Sequence, residues 1–402
     1  MNIVITCLFG LESLVKEDLL AIGYQKEQIS VKDAVVTLKV DNDNWVWDLA
    51  RVNMWSRRGE RVFFEVGSFE AHSFEEYFDG FSQIKWNDYI PKDFAFIING
   101  FSRKSKIFGI SACQSLAKKA ISKSILASRG LPETGIVNED RDVGEIRIQF
   151  GIVEDFVQVM IDSSGAGLHK RGYRPLTHEA PIKETLASGM VSLAHYKPFG
   201  YEALVDPFCG SGTILIEAAM MSLNIAPGKN RHFSYEKIPY IGTAPYVKAR
   251  EEALDSEDLS PLDDTFFFGS DIDKEAIENA KRNADNAGVG SFIKFKTADA
   301  ATQTPEALKA YTGFDRQLII TNPPYGGRLL TEEEAFNIYK LIGRTYLTKS
   351  GACKKGIRLS VISPDDTFEY ANRIKADKRI KLYNGNIKCQ LNNFYKLDNS
   401  QK

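Results

Sequence analysis

The chain has 402 residues, with 51 Lys and Arg against 53 Asp and Glu and a formal charge of −2. That length predicts two or three domains with enough apolar content for real cores, and the near-neutral balance excludes a protein that coats nucleic acid non-specifically. No apolar run approaches the ~18 residues of a spanning helix, and the start, MNIVITCLFGLESL, lacks the basic and small-residue marks of a signal peptide. No membrane partner is expected. Cys7, Cys113, Cys209, Cys353 and Cys389 lie far apart, which fits a reducing, cytoplasmic setting and gives neither a disulfide framework nor a zinc site. The histidines are equally scattered, and no metal is expected.

Residues 1–66 read β-α-β-β-α-β over 2–7, 11–22, 29–31, 35–40, 44–54 and 61–66, the ferredoxin-like plan. Val36, Leu38 and Val40 alternate with Val35, Thr37 and Lys39, as in a strand with one buried face. Asp43 or Asn44 is placed to cap the helix that follows. Residues 67–165 read as a second small α+β unit: helix 73–81, strand 94–101, helix 111–128, strands 145–150 and 156–161. From Phe94 to Pro132 there is no acidic residue, whereas Arg103, Lys104, Lys106, Lys118, Lys119, Lys123 and Arg129 are basic. Leu116, Ala117, Ala120, Ile121 and Ile125 form one apolar stripe, which turns Lys118, Lys119 and Lys123 outward. A phosphate-binding face and a solvated helix face are both open readings of that charge. The order of a strand, Ser-Arg-Lys-Ser-Lys and a basic helix resembles a THUMP domain, an RNA-binding module often preceded by a ferredoxin-like domain.

Gly165, Gly167, Gly172 and Pro175 make 166–194 read as a linker that ends in a helix over 185–194. Residues 195–395 then carry an α/β, Rossmann-like pattern. Within ALVDPFCGSGTILIEAA a strand over 203–205 ends at Asp206, turns through Gly210 and Gly212, and enters a helix over 214–221. Strand, glycine turn and helix form the first unit of a doubly wound sheet, whose ligands bind beyond the carboxyl ends of the strands. The segment 222–264 is long enough to be either an insertion with its own helices or a disordered loop. Strand 265–270 leads to Asp271-Ile272-Asp273 and a helix over 274–287. Strand 293–297 leads to Asp299, and strand 317–321 to Asn322-Pro323-Pro324-Tyr325. A buried strand over 358–363 and a hairpin, 379–383 and 387–393 around an Asn384-Gly385 turn, close the pattern. Asp206, Asp271 and Asp299 each follow a strand of one sheet, although each alone reads equally as a helix cap.

The glycine turn lacks the G-x-G-x-x-G form, and Asn-Pro-Pro-Tyr has no role in hydride transfer, so a dinucleotide oxidoreductase is excluded. The two motifs together resemble the class I S-adenosylmethionine-dependent methyltransferases, with the tetrapeptide like that of enzymes methylating an amino nitrogen. The whole chain is similar to the bacterial THUMP-domain RNA guanine methyltransferases, the family that includes the N-terminal half of the large-subunit rRNA methyltransferase RlmL.

That resemblance implies S-adenosylmethionine as cofactor, the exocyclic N2 amine of a guanine as methyl acceptor, and RNA as partner, with 23S rRNA foremost and tRNA as the alternative. It implies a cofactor pocket built from Pro181, Lys183, Thr185 and the turn Asp206, Pro207, Phe208, Cys209, Gly210, Gly212 and Thr213. Asp271 would hold the ribose hydroxyls, Ile272 the adenine ring and Asp299 the adenine amino group. Asn322, at the edge of that pocket, and Pro323 would accept the two N–H bonds of the target amine. Pro324 would stiffen the turn, Tyr325 would stack on a base swung out of its helix, and Arg328 would reach a phosphate. Because the chain stops soon after the terminal hairpin, the second methyltransferase activity of the fused protein is expected to be absent. Outside RNA methylation, the open readings are a DNA adenine-N6 methyltransferase and an RNA-binding assembly factor without turnover.

Overall fold

The computed structural model describes residues 1–41, 43–174, 181–259, 266–325 and 331–397. β1 (Asn2–Cys7), α1 (Glu12–Ala21), β2 (Ile29–Lys32), β3 (Val35–Lys39), α2 (Trp45–Trp55) and β4 (Gly59–Glu70) follow in the expected order. The strands lie β2-β3-β1-β4, antiparallel throughout, which is the ferredoxin-like arrangement. Ile3, Ile5, Val36 and Leu38 supply its buried face. Asn44 occupies the N-cap of α2 but makes no side-chain cap bond, so the helix is held by packing instead.

β4 is twice the expected length. It continues past residue 66 through an irregularity between Glu65 and Gly67 and pairs with β7 (Phe156–Asp162) from Phe63 to Glu70. A bulge of this kind bends a strand without ending it. α3 (Phe74–Gln83), α4 (Trp86–Tyr89), β5 (Phe94–Arg103), α5 (Ile110–Ser128) and β6 (Asp140–Val153) complete the second unit. The result is one seven-stranded sheet, β2-β3-β1-β4-β7-β6-β5, and the division expected at 66/67 falls inside its shared strand.

The second sheet has the order β10-β9-β8-β11-β12-β14-β13. Its strands are β8 (Ala203–Asp206), β9 (Phe267–Asp271), β10 (Ile293–Thr297), β11 (Gln317–Thr321), β12 (Ile357–Pro364), β13 (Lys378–Asn384) and β14 (Ile387–Phe394). The first five run parallel, and β14 pairs antiparallel with both β12 and β13. Helices α6 (Glu184–Leu193), α7 (Thr213–Ser222), α8 (Ala244–Asp255), α9 (Lys274–Asn286), α10 (Pro305–Thr312), α11 (Glu332–Tyr346) and α12 (Thr367–Asn372) accompany it. Leu204, Phe267, Leu318 and Ile320 fill one face, and Val205, Phe268, Ile319 and Val361 the other. Burial on both faces is why these strands read as continuous apolar runs. β8 is flanked by β9 and β11, so the order reverses there and opens a crevice at the strand ends. The hairpin register pairs Asn384 with Ile387, so its loop is Gly385-Asn386, one residue later than expected, with φ 62° at Gly385.

Of the two joining segments, one takes one of its two expected forms and the other departs from expectation. The 222–264 segment forms, over its described part, a short 3-10 turn (Ser234–Lys237) and α8. Phe233, Tyr235, Tyr246 and Ala249 share a core with Leu49, Val52 and Trp55 of the first sheet's domain. Arg51 grips Glu252 at 2.6 and 2.8 Å, and Lys248 lies 4.4 Å over the Trp47 ring. The start of the expected linker is docked as firmly. Arg231 donates to the carbonyls of Ser164, Ala166, Gly167 and Lys170, while Arg171 is buried against Glu217 of α7. Among the described residues, no helix is long and apolar enough to cross a membrane.

Candidate active site

β8 delivers Asp206 to the crevice, 2% exposed. Its Oδ1 accepts from the Thr321 hydroxyl at 2.8 Å and the Phe208 N–H at 3.1 Å, which ties the end of β8 to the end of β11. Burial pushes this carboxyl up to about 7, against the pull of those two hydrogen bonds. The next residues clamp onto β9: the Cys209 N–H reaches the Ser270 carbonyl at 3.0 Å and the Gly210 N–H reaches Asp271 Oδ2 at 2.9 Å. Gly212 caps α7 with φ 82°, and a Cβ there would meet Ala280 and Phe295 at 3.1 Å. The positive φ favours glycine, and the space beside it is tight for any side chain. Pro207 and Thr213 are buried and Phe208 half-buried, so the expected turn residues form one compact rim.

At the end of β9, Asp271 also accepts the Asp273 N–H, while Ile272 is 73% exposed, an apolar side chain standing open at the crevice. Asp299 is exposed, and its Oδ1 accepts the Ala301 N–H at 2.8 Å. That oxygen acts as the helix cap that was the competing reading. At the end of β11, Asn322 is half-buried and Pro323 buried. Asn322 Oδ1 is fully enclosed yet accepts no hydrogen bond among the described residues. Tyr325 is anchored rather than free: its hydroxyl accepts from the Asn384 side chain, its ring packs on the core, and burial pushes its pKa up to about 12.

Other expected site residues are engaged elsewhere. Lys183 donates to Glu60 of β4 at 2.6 Å, and the Thr185 hydroxyl donates to the same carboxylate. Burial raises the Glu60 pKa, but hydrogen bonds from His169, Lys183 and Thr185 outweigh it and hold it down to about 2. Pro181 is half-buried beside them in sequence, and Arg328 lies outside the described residues. In the basic unit, Arg103 pairs with Asp33 at 3.4 Å, Lys104 with Glu154 at 3.6 Å and Lys123 with Glu133 at 3.4 Å. Lys118 pairs with Glu139 at 2.6 Å, donates to the Phe96 carbonyl and lies 3.5 Å over the Phe96 ring. It therefore leans onto the sheet, with 40% of its side chain still open to solvent. Lys106 and Lys119 are exposed and make no ion pair among the described residues.

Sequence reasoning missed three contributors. Arg174 donates to Ser211 Oγ at 3.4 Å and Thr213 Oγ1 at 3.3 Å and pairs with Glu184. Glu184 is 3% exposed, its Oε2 has no partner among the described residues, and burial raises its pKa. Thr321 positions Asp206. The only sequence signal for Arg174 was a charged residue inside a glycine-rich passage, and for Thr321 a polar residue ending an apolar strand.

A parallel sheet of this order, with its last strand reversed and Asn-Pro-Pro-Tyr following the strand beside the glycine turn, is the architecture of a Rossmann-like methyltransferase. Residues 171–393 match the RMKL-like methyltransferase domain, and residues 2–63 match the RlmL ferredoxin-like domain. The chain belongs to the RMKL-like methyltransferase family. It is 34% identical over 398 residues to YpsC of Bacillus subtilis, named as a candidate RNA methyltransferase, covering 96% of this chain and 94% of that one. It is 32% identical over 389 residues to the ribosomal RNA large subunit methyltransferase K/L of Vibrio parahaemolyticus, covering 96% of this chain but 52% of that protein. The chain thus spans about half the length of that K/L protein. Among solved structures, SMU.472, titled as a candidate methyltransferase in complex with SAH, aligns with a TM-score of 0.83 at 33% identity, over 99% of this chain and 98% of that one.

Proposed function

We propose that this protein transfers a methyl group from S-adenosylmethionine to the exocyclic N2 amine of a guanine in RNA, with large-subunit rRNA as the substrate. The observation that carries the reading is Asn322 Oδ1, an enclosed carbonyl with no donor among the described residues, one residue past the Thr321 that holds Asp206. A base amine is a poor nucleophile because its lone pair is delocalised into the ring. Two carbonyls accepting its N–H bonds, from the Asn322 side chain and the Pro323 backbone, orient the nitrogen and stabilise positive charge as it develops. Neither Pro323 nor Pro324 has an N–H to compete. The cofactor supplies an electrophilic methyl group. The residues present fit it: Asp206 is a buried carboxylate with both of its hydrogen bonds on Oδ1, suited to an ammonium, and Ile272 offers an uncovered apolar face. The ferredoxin-like and adjoining THUMP-like units, continuous through β4, would present the RNA. The decisive experiment incubates the protein with labelled S-adenosylmethionine and total RNA from a strain lacking the gene. Label in N2-methylguanosine of large rRNA is expected. Label confined to tRNA would change the substrate, and label absent from RNA would overturn the reading.

Asp206 makes the cofactor affinity pH-dependent. Its carboxyl titrates at about 7 in the free protein, and a bound ammonium favours the ionised form. Affinity is therefore nearly full at pH ~8, half-lost at about pH 7, and falls further as the free carboxyl takes up a proton. Between pH 8 and pH 6 the Kd for S-adenosylhomocysteine should rise about tenfold. Calorimetric titration at the two pH values tests this, and a flat profile would remove Asp206 from contact with the ligand's charge.

The basic side chains of 94–132 are unequal, because four are already paired with carboxylates. RNA contact should rest on Lys119 and on Lys106, two residues before Phe108, which is 80% exposed. Reversing both lysines to Glu should weaken RNA binding and reduce the slope of log K against log salt by about 2. Filter binding over a salt series measures it, and an unchanged slope would take these side chains out of the interface.

A further inference from the structure

A second cavity, of about 450 Å³, lies where α1 and α2 meet the C-terminal end of α7 and the insertion helix α8. Asp18, Arg51, Trp55, Arg57, Arg58 and Met221 are among its lining residues. Met221 stands about 12 Å along α7 from Thr213 at the glycine turn, so this is not the methyl-transfer crevice.

The charges here do not balance. Three guanidinium groups face two carboxylates, and both carboxylates are committed. Glu252 takes the bidentate grip of Arg51. Asp18 pairs with Arg58 and accepts the backbone N–H groups of Arg57 and Arg58 at 2.9 and 3.0 Å. Arg57 makes no ion pair among the described residues, although the charges of Glu217 and Asp18 act on it, and it donates from Nη2 to the Ile225 carbonyl at 2.8 Å. Arg57 Nη1, Arg58 Nε and Trp55 Nε1 have no acceptor among the described residues. These residues are 6%, 9% and 9% exposed. Burial pushes the Arg57 guanidinium down to about 10, against the opposing pull of the buried Glu217.

Buried donors without acceptors are costly, and three of them on residues that line one cavity suit a ligand that carries only acceptors and negative charge. Phosphate has that chemistry, and arginine is the side chain that matches its geometry. The cavity exceeds a bare phosphate, and Trp55, Ile22 and Met221 give it apolar wall for a sugar or base. We propose that this cleft is a phosphate-binding site for a nucleotide, held by Arg57 and Arg58 at the junction of the N-terminal and catalytic domains. The site stands on its own contacts and is independent of which amine the enzyme methylates.

Arg57→Ala would also strip the Ile225 carbonyl, so the test uses Ala21, an exposed residue at the end of α1 that lines the cavity. Ala21→Glu adds a negative charge at the rim without disturbing the buried network, and Ala21→Gln is its neutral control. Full-length protein is titrated calorimetrically with inorganic phosphate, uridine 5′-monophosphate, and a short RNA with or without a 5′-phosphate. Saturable phosphate binding is expected, tighter for the nucleotide, weakened at least about tenfold in Ala21→Glu and unchanged in Ala21→Gln. Tightest binding of the 5′-phosphorylated RNA would assign the site to an RNA end, and preference for the monophosphate to a free nucleotide. No saturable signal up to about 10 mM phosphate, or equal binding by Ala21→Glu and the unaltered protein, would overturn the proposal.

Discussion

Replacing Asn322 with alanine is expected to lower the methyl-transfer rate about 10²–10³-fold, the usual consequence of losing one preorganised polar partner of a transition state. The size follows from where the carbonyl sits. Asn322 Oδ1 is enclosed by protein and bonded to nothing described, so water does not spend its acceptor capacity before substrate arrives. An acceptor held ready in a poorly solvated place gains most when charge develops on its donor, because no reorganisation is needed at that moment. Asp206, the glycine turn and Asp271 are bonded to one another and not to Asn322, so S-adenosylhomocysteine should bind the variant within about twofold of the unaltered protein. Asn322→Asp keeps an acceptor at the same place and should retain more rate than alanine. Single-turnover rates at saturating cofactor, paired with calorimetry, separate the outcomes. A full rate in the alanine variant would end the assignment, and a parallel loss of cofactor affinity would move Asn322 into cofactor binding.

The crevice was legible because its parts are local. Asp206, Gly210 and Gly212 lie within one strand-turn-helix unit, and Asn322 to Tyr325 follow directly on another strand, so spacing alone places them at strand ends. What was not legible depends on partners distant in sequence. Nothing near Lys118 announces Glu139, and nothing near Lys183 or Thr185 announces Glu60, more than 120 residues away. A run without acidic residues looks unbalanced along the chain, yet Asp33, Glu133, Glu139 and Glu154 approach it from outside in space. The same limit hid the shared strand. β4 was cut at 66 because its second half pairs with β7, whose partner pattern is not written in 61–70. Gly165 to Gly172 read as a linker because glycine marks loose chain and tight docking alike. The difference lies in Arg231, three of whose four carbonyl acceptors come from that passage and the fourth from Ser164 just before it.

Arg171→Ala should destabilise the protein by about 3–5 kcal/mol, the range for breaking a buried ion pair by removing one partner. Glu217 is wholly buried and Arg171 is 2% exposed. Burial lowers the Arg171 pKa, but the charge of Glu217 more than restores it, as expected of a pair that depends on both members. Arginine does more here than neutralise, since its guanidinium also donates to the carbonyls of Leu168 and Arg57. Removing it leaves a carboxylate inside the core helix α7, takes the donor from the Leu168 carbonyl and leaves the Arg57 carbonyl only the Ser188 hydroxyl at 3.4 Å. Replacing the pair together, as Arg171→Ala with Glu217→Leu, removes the stranded charge but does not restore the lost carbonyl bonds. It should therefore recover most of the loss and stay below the unaltered protein by about 1–3 kcal/mol. Glu217→Leu alone keeps both carbonyl bonds and leaves an unpaired cation, completing a double-mutant cycle in which the pair's coupling is read directly. Urea unfolding of the four proteins gives the numbers. If the double variant is no more stable than Arg171→Ala, the carbonyl bonds and not the ion pair hold this passage. The position matters to the site because Tyr173 also reaches Glu217 and the next residue, Arg174, bonds the glycine turn. Loosening at Arg171 should thus weaken S-adenosylhomocysteine binding as well as the fold, with no change in the bound complex's dependence on Asn322.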